Sequence, residues 1–343
     1  MKIVVVGPQF PDSFARNVAV TLQDMGCDVC AIDGCRVRHH GRRLPNLFWR
    51  YLPKVFPALE RATFNEVVRT AEAVQPDLVL VTYGFMPPEV VRDVKRVSSA
   101  QVVCWFTDSI MNPHRQYLIA GAFDAVFLKE PFLVRVFREK LGLNAHYLPE
   151  CCNPRWHRRT ELSSDEYSRY ACDLAAQGTL HYYRAKMLEL FQGYDLKVWG
   201  RNAPAWLHSD IRNCYAHHYL AESEKAKALG AAKIVINTMH YSEIEGVNCT
   251  LFEAAGCGAF QIADWKPILS ELFEPEREIV TFRTREELRE KVDYYLDRPE
   301  ERREIAARAY ARAHREHTYE ARLNAIFDAL GVCSRRQVVL AAS

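Results

Sequence analysis

The sequence predicts an α/β fold with two domains, each built on a parallel β-sheet flanked by helices. Short apolar segments rich in β-branched residues alternate with amphipathic segments along most of the chain, as in parallel sheets with crossover helices. The chain has 343 residues, which is enough for two domains. A turn-rich stretch interrupts the alternation near residue 150. We therefore expect one domain over residues 1–150, a linker over 151–169 and a second domain over 170–315.

The first domain opens with KIVVVG (Lys2–Gly7), a β-branched run that ends at a glycine. Such a run is typical of a buried parallel strand. The segments that follow alternate in the same way. Further strands are predicted at Cys27–Ile32, Leu78–Thr82, Val102–Phe106 and Ala125–Leu128. Helices are predicted at Phe14–Met25, Arg61–Val74, Pro88–Val97 and Pro131–Leu141.

A second alternating series begins after the polar segment 155–169. Strands are predicted at Cys172–Gln177, Leu196–Trp199, Ile234–Thr238, Ala259–Ala263 and Ile279–Phe282. Helices are predicted at Tyr183–Phe191, Glu222–Leu229, Thr250–Ala255, Trp265–Leu272, Arg285–Leu296 and Glu300–His314. Both domains are therefore Rossmann-like. Because this fold hosts many chemistries, function has to be argued from the candidate sites.

The composition argues against several classes of protein. A formal net charge of +2 is far from the basic profile of a dedicated nucleic-acid-binding protein. No run of about 18 apolar residues predicts a transmembrane helix. The start, MKIVVVGPQF, leads directly into a strand and lacks the layout of a signal peptide. These features predict a cytoplasmic protein.

The stretch Arg36–Lys54 holds six basic residues, no acidic residue and several aromatic residues. It is either a solvated loop and helix face, or a docking surface for an anionic acceptor or for the inner face of the membrane. A nucleic-acid acceptor is an unlikely further alternative.

The eleven cysteines do not predict a metal site. Cys27 and Cys30 have CxxC spacing, but they lie in a predicted strand, where residues three apart point to opposite faces. No second CxxC or histidine pair completes a zinc pattern. We expect reduced cysteines and no bound metal.

The segment Glu243–Gly258 (EIEGVNCTLFEAAGCG) follows a predicted strand and leads directly into a helix. A helix N-terminus in this position offers unpaired backbone N–H groups and a positive dipole end, which favour a pyrophosphate. Glu245 lies before the helix and Glu253 about one turn into it. They either bind different hydroxyls of one ligand, a sugar and a ribose, or serve as a helix cap and a solvated glutamate.

The run Glu245–Gly258 resembles the E-x7-E segment of glycosyltransferase family 4. The C-terminal half resembles the CgeB-like (spore maturation protein B) glycosyltransferases more closely, over roughly residues 170–330. The matching blocks are Lys233–Asn237, Gly246–Asn248, Phe252–Ala255, Gly258–Phe260, Leu272–Pro275 and Glu316–Tyr319. The resemblance implies the GT-B fold, in which two Rossmann-like domains face each other across a cleft. In this fold residues 1–150 bind the acceptor and residues 170–315 bind the donor. Residues 316–330 form a C-terminal helix that packs back on the first domain, and residues 331–343 form a tail.

The resemblance also assigns roles within the E-x7-E segment. Glu253 would accept hydrogen bonds from the ribose hydroxyls of a nucleotide donor. Glu245 would face the donor sugar, and the backbone of Gly246, Val247 and Asn248 would meet the pyrophosphate.

The sequence departs from the family pattern at Thr250. The CgeB-like pattern often has a basic residue two or three positions before the second glutamate, so part of the charge that neutralises the donor phosphates has to come from elsewhere. Arg184 is the candidate, at the start of a predicted helix that follows a turn at Gly178. It would stabilise the leaving nucleotide, unless it is a solvated helix residue. Gly200 ends the next strand and either lets the base approach closely or serves as a turn glycine.

In the first domain, Gly7 ends the first strand without a G-x-G-x-x-G pattern, so a nicotinamide or flavin site is not expected. A glycine here in GT-B enzymes lets the loop approach the donor phosphate and the acceptor. Asp108 follows another strand. It either orients or deprotonates an acceptor hydroxyl, or caps a helix.

The predicted function is a glycosyltransferase that moves a sugar from a nucleoside-diphosphate sugar to a glycan, lipid-linked or small-molecule hydroxyl. The resemblance implies retention of anomeric configuration and no metal cofactor; inversion would instead make Asp108 the base. Two alternatives stay open: a catalytically inactive protein that binds nucleotides or sugar phosphates, and a sugar-nucleotide epimerase-like enzyme of the same fold.

Overall fold

The computed structural model describes residues 1–33, 61–62, 64–83, 86–110, 117–200 and 203–332. The basic stretch Arg36–Lys54 lies outside these residues, as does nearly all of the predicted tail, so the docking surface stays a prediction. The chain divides into two compact units. The first comprises Met1–Lys129, Leu133–Leu148 and the C-terminal segment from Arg322; the second comprises Glu130–Phe132 and Pro149–Ala321.

The N-terminal part of the chain alternates strands and helices around one parallel sheet. Its strands are β1 (Lys2–Val6), β2 (Asp28–Ile32), β3 (Leu78–Val81), β4 (Gln101–Phe106), β5 (Ala125–Leu128) and β6 (Ala145–Tyr147). Its helices are α1 (Phe14–Asp24), α2 (Asn65–Val74), α3 (Pro88–Val97), α4 (Tyr117–Ala120) and α5 (Pro131–Leu141). The strand order is β2-β1-β3-β4-β5-β6. The chain reverses its direction of winding between β1 and β3, so their carboxyl ends form the topological switch point.

Gly7 follows β1 at this switch point, and packing requires a glycine there. A Cβ added at Gly7 would lie 2.0 Å from Oγ1 of Thr82 and 2.7 Å from Cβ of Ala15. Thr82 has little room to move, because its backbone N–H and its hydroxyl both donate to the carbonyl of Val6, at 3.0 and 3.1 Å. The strands β1 and β3 are therefore held close together where they end.

The second unit is built on a second parallel sheet. Its strands are β7 (Cys172–Gln177), β8 (Leu196–Trp199), β9 (Ala232–Asn237), β10 (Gln261–Asp264) and β11 (Val280–Phe282), in the order β11-β10-β9-β7-β8. Its helices are α6 (Ser164–Tyr170), α7 (Tyr182–Leu188), α8 (Ser209–Asn213), α9 (Glu222–Ala231), α10 (Cys249–Gly256), α11 (Leu269–Leu272), α12 (Arg285–Leu296) and α13 (Pro299–Glu316). Helix α14 (Tyr319–Leu330) follows. Here the switch point lies between β7 and β9.

The helices begin where local chemistry satisfies their unpaired N–H groups. Ser13 and Thr284 accept hydrogen bonds from backbone N–H groups in the first turns of α1 and α12. Ser163 and Glu166 form a reciprocal capping box at the start of α6. Pro88 occupies the first turn of α3, where no hydrogen bond is lost.

The prediction of an α/β fold with two parallel sheets is confirmed, and most element bounds agree within two residues. The short edge strand β6 and the helices α4, α6 and α8 were not predicted. Conversely, the helix predicted from Trp265 begins only at Leu269, because Pro267 interrupts the helical backbone before it.

Among the residues that the structure describes, no helix is both long enough and apolar enough to cross a membrane.

Replacing Gly7 with alanine tests the close packing between β1 and β3. We expect Gly7→Ala to lower the free energy of unfolding by about 1–3 kcal/mol, because the added methyl group overlaps Thr82. Calorimetry measures the shift of the unfolding transition. Gly230→Ala is the matched control, since a Cβ there would find only the Cys257 carbonyl, 3.9 Å away. It should raise stability by about 0.5–1 kcal/mol, as expected for glycine to alanine in a helix. Equal effects of the two variants would contradict the packing argument.

Candidate functional site

The candidate site of the second unit lies at the carboxyl ends of β7 and β9. Open α/β sheets bind their ligands at such a topological switch point. Strand β7 ends at Gln177 and is followed by Gly178, whose φ of +94° favours glycine. Strand β9 ends at Asn237 and is followed by Thr238. The side chains from three helices meet at these two strand ends.

Arg184, in the first turn of α7, joins the two strand ends. Its side chain is buried. Nη1 donates to the carbonyls of Gln177 and Thr179, both at 2.8 Å. On the side of β9, Nε donates to the hydroxyl of Thr238 at 3.0 Å and Nη2 to the carbonyl of Thr238 at 3.1 Å. The guanidinium is therefore a buried structural link, whereas the sequence left open a solvated helix residue. Its predicted role in stabilising the leaving nucleotide stays a prediction.

Glu253, in α10, lies in a buried polar cluster at the same edge. Its Oε1 is 2.7 Å from Nζ of Lys225, which comes from α9. Its Oε2 accepts a hydrogen bond of 3.0 Å from Nε2 of Gln177. The same nitrogen of Gln177 lies 3.3 Å from the hydroxyl of Thr250. Glu253 is thus an oriented, ion-paired carboxylate rather than a solvated helical glutamate.

Glu130 binds the loop before α10 through three successive backbone groups. This residue belongs to the second unit. Its Oε2 accepts hydrogen bonds from the N–H groups of Ile244 and Gly246, at 2.9 and 3.1 Å, and its Oε1 accepts one from Glu245 at 3.0 Å. Successive N–H groups that converge in this way form an anion-binding nest. The loop therefore has the backbone geometry of an anion site, and here a carboxylate of the protein occupies it.

Asn248 determines where α10 begins. Its side-chain oxygen accepts the hydrogen bond of the Leu251 N–H at 3.2 Å. Its amide donates to Oδ1 of Asn237 at 2.9 Å and to the carbonyl of Thr238 at 3.2 Å. The Thr238 carbonyl also accepts from Arg184. The start of α10 is consequently fixed to the carboxyl end of β9.

The glycine after β8 is a point of close approach. A Cβ at Gly200 would lie 2.1 Å from the hydroxyl oxygen of Tyr215 and 3.0 Å from the carbonyl of Gly178. The position therefore brings the ends of β7 and β8 together, and the structure offers this packing reason for Gly200. Close approach of a base there stays a prediction.

Burial shifts the pKa values of several groups near these strand ends. The pKa of Arg184 is lowered, mainly by burial, while the nearby Glu243 carboxylate acts in the opposite direction. The pKa of His181 is lowered to about 4 by burial first, then by the charges of Arg184 and His240. Burial raises the pKa of Asp264, although hydrogen bonds from Tyr183 and the backbone of Met239 oppose it. Above pH 5, His181 is therefore neutral while the adjacent guanidinium carries the positive charge.

In the first unit, the two predicted residues follow different strands of the same sheet. Gly7 follows β1 and Asp108 lies two residues beyond β4. Asp108 is exposed, and its Oδ1 accepts a hydrogen bond of 2.7 Å from the Ser109 N–H. The acceptor-side role of both residues stays a prediction.

Within the second unit, the structure brings most of the predicted residues together. Two residues that the sequence did not single out connect them: Gln177 contacts Arg184, Thr250 and Glu253, and Thr238 contacts Arg184 and Asn248. The predicted residues joined through these two positions, directly or by close approach, are Gly178, Arg184, Gly200, Asn248, Thr250 and Glu253.

The sequence also gave no signal for Lys225 or Glu130. Lys225 lies 28 residues from Glu253, and Glu130 lies 116 residues from Gly246. Neither spacing corresponds to a motif. For Gln177 a signal existed, since a polar residue at the carboxyl end of a buried strand commonly faces a ligand edge.

Comparison with known proteins agrees with this geometry. A family model described as glycosyl transferase-like matches residues 183–328. The spore protein CgeB of Bacillus subtilis (strain 168) is 23% identical over 286 residues, covering 77% of this chain and 87% of that protein. The resemblance to CgeB-like glycosyltransferases is confirmed.

Solved structures confirm the GT-B fold. Sucrose-phosphate synthase from Thermosynechococcus elongatus superposes with a TM-score of 0.68 at 14% identity, covering 100% of both chains. A glycosyltransferase from Rickettsia africae ESF-5 has a TM-score of 0.66 at 12% identity, covering 95% of this chain and 97% of that chain. HepE from Anabaena, in complex with UDP and glucose, has a TM-score of 0.65 at 13% identity and covers 96% of this chain and 99% of that chain. At these identities the likeness shows the fold alone.

The contact of Glu130 with the loop predicts how fast the backbone amides of the loop exchange their hydrogens with water. We expect Glu130→Ala to raise the hydrogen-exchange rates of the Ile244–Gly246 amides roughly 10-fold or more, because hydrogen bonds to a charged group contribute about 1.5–3 kcal/mol. Exchange followed by mass spectrometry on a peptide that spans residues 243–248 measures the change. Glu139→Ala, at an exposed glutamate of α5, is the control. Unchanged protection in Glu130→Ala would show that the carboxylate does not order the loop.

The shifted pKa of His181 predicts a dependence of stability on pH. Because the folded pKa of about 4 lies below the ordinary value near 6.5, the unfolded chain binds the proton more tightly. The contribution of His181 is therefore complete above about pH 6.5 and is lost as the pH falls toward 4. His181→Asn keeps an acceptor at the N-cap of α7 but cannot titrate. We expect it to reduce the loss of stability between pH 7 and pH 4 by about 1 kcal/mol, after allowance for solvent screening of the half-buried ring.

Melting temperatures measured between pH 4 and pH 7 test this expectation. The matched control is His208→Asn, because His208 also caps a helix but is exposed. Parallel pH profiles for wild type and His181→Asn would rule out the assignment.

Proposed function

We propose that the chain transfers a sugar from a nucleoside-diphosphate sugar to a hydroxyl acceptor, with retention of anomeric configuration and without a metal cofactor. The observation that carries the proposal is the arrangement around α10. An anion-binding nest, a capped helix N-terminus and an oriented buried carboxylate follow one another within ten residues of sequence, from Ile244 to Glu253, at a topological switch point. The complexes of HepE with UDP, UDP-glucose, and UDP and glucose support a nucleotide-sugar donor.

Each part of this arrangement suits one part of such a donor. The Glu253 carboxylate accepts hydrogen bonds from the ribose hydroxyls. The backbone N–H groups of Val247 and Asn248 and the positive end of α10 meet the pyrophosphate, beside the Gly246 N–H that donates to Glu130. Glu245 faces the sugar.

Arg184 acts on the leaving group in two ways. Its positive charge stabilises the departing diphosphate, and its hydrogen bonds hold the loops after β7 and β9 in place. Its hydrogen-bond partners are neutral carbonyls and a hydroxyl, which do not neutralise its charge. A buried positive charge at the strand ends therefore remains available to stabilise the diphosphate as it departs. We assign Arg184 as a positioning residue that also contributes this field.

Retention follows from a front-face displacement. The bond between the anomeric carbon and the donor phosphate oxygen breaks, and the nucleoside diphosphate departs with the electron pair. A phosphate oxygen of the donor takes the proton of the acceptor hydroxyl, and the acceptor oxygen bonds to the anomeric carbon on the same face. Asp108 of the first unit is the proposed acceptor-side residue.

Nucleotide binding tests the donor site first. We expect one of UDP, GDP, dTDP, CDP and ADP to raise the melting temperature selectively, because a ligand that binds only the folded state stabilises it by about 2.7 kcal/mol at 100 times its Kd. Glu253→Ala should abolish the shift, and Glu290→Ala, at an exposed glutamate of α12, should preserve it. Absence of any shift at millimolar concentrations would refute the donor site.

Turnover then separates the proposal from its alternatives. The sugar nucleotides of the selected base are incubated with and without hydroxyl acceptors, with and without EDTA, and the product anomer is read by NMR. A retained product that forms in EDTA supports all parts of the proposal. Isomerisation of the donor without an acceptor would favour an epimerase-like enzyme. A nucleotide-binding protein without turnover would show only weaker affinity in Glu245→Ala.

A further inference from the structure

Lys225 is a buried lysine that contacts Glu253. It lies in α9, outside the E-x7-E segment. Its side chain is 6% exposed and that of Glu253 is 11% exposed. Nζ lies 2.7 Å from Oε1 of Glu253. A buried ion pair is weak evidence for a contribution to stability, because desolvation of both charges offsets their attraction. The pair therefore calls for another explanation than a stabilised core.

The two oxygens of Glu253 are held by different partners. Lys225 binds Oε1 from α9, and Gln177 binds Oε2 from the end of β7. A carboxylate oxygen has two lone pairs, so each oxygen keeps capacity for one further hydrogen bond. Lys225 and Gln177 consequently fix the plane of the carboxylate, and Nε2 of His157, 4.0 Å from Oε1, lies beyond hydrogen-bond distance.

Two donors on adjacent atoms are what a ribose offers through its 2′ and 3′ hydroxyls. We propose that Lys225 is a positioning residue: it holds the Glu253 carboxylate in a fixed orientation, so that the site recognises the ribose of the donor nucleotide. This inference rests on the proposed function of Glu253.

The inference predicts how well the protein discriminates between a ribonucleotide and its dideoxy analogue. The probes are whichever of UDP, GDP, CDP or ADP the wild type binds and the 2′,3′-dideoxy form of the same diphosphate, both measured by calorimetric titration. We expect wild type to bind the ribonucleotide at least 10-fold more tightly than the dideoxy form. In Lys225→Met this ratio should fall below about threefold, mainly because the ribonucleotide loses affinity. Lys225→Arg should restore part of the ratio, because it restores the charge.

The control is Lys227→Met in the same helix. The Nζ of Lys227 donates to Glu166, and this is the partner that the structure gives it in place of Glu253. This variant should keep the wild-type ratio. If Lys225→Met weakens both probes equally, Lys225 is only a structural residue and the inference is wrong.

The double variant Lys225→Met/Glu253→Gln covers the case in which Lys225→Met alone does not fold, since it removes both buried charges. Its ratio should equal that of Glu253→Gln, because Lys225 acts through Glu253; a further change would overturn the inference. Tight binding of both probes by wild type, with a ratio near one, would also overturn it while leaving the donor site intact. Failure of every diphosphate to bind wild type would refute the proposed function itself.

Discussion

The arrangement of the second unit depends on one buried cation. Strands β7 and β9 are paired up to Ala175 and Val235, and each continues for two more residues before it ends. Arg184 connects the backbone beyond that pair, from Gln177 and Thr179 on one side to Thr238 on the other. A guanidinium suits this role because its donors lie in one rigid plane and it does not lose its charge. Without it, the carbonyls at both strand ends would be buried with fewer partners, at a cost typical of unsatisfied polar groups.

The neutral partners of Arg184 have an electrostatic consequence. Lys225 has a carboxylate against its ammonium group, so that pair contributes little net field. Arg184 instead donates to carbonyls and a hydroxyl, with Glu243 acting on it at longer range. Its positive charge adds to the partial charge at the N-terminus of α10. Within the protein itself, a carboxylate already fills the nest before α10, because Glu130 accepts hydrogen bonds from three successive N–H groups there.

The sequence predicted the parts of this structure that depend on local order. Buried strands appear as apolar runs, and the residues around Glu245 and Glu253 follow a pattern with fixed spacing. The S-x-x-E pattern at Ser163 and Glu166 would also have predicted α6. In contrast, Lys225 and Glu130 act through contacts between residues far apart in the chain, so no local spacing indicates them. Gln177 was indicated only by its place at the end of a buried strand. Arg184 is intermediate: its position after a turn singled it out, but only the fold shows that its donors bind carbonyls.

Thr250 shows why a departure from a family pattern has to be interpreted in three dimensions. The residue is buried, and its hydroxyl accepts a hydrogen bond from Gln177. A lysine or arginine at this position would remove the hydroxyl that accepts this hydrogen bond from Gln177. Because Lys225 already places a cation on the carboxylate, a second basic side chain would also add an uncompensated buried charge. The small residue at position 250 therefore keeps Gln177 in contact with Glu253 and leaves the first turn of α10 to its backbone N–H groups.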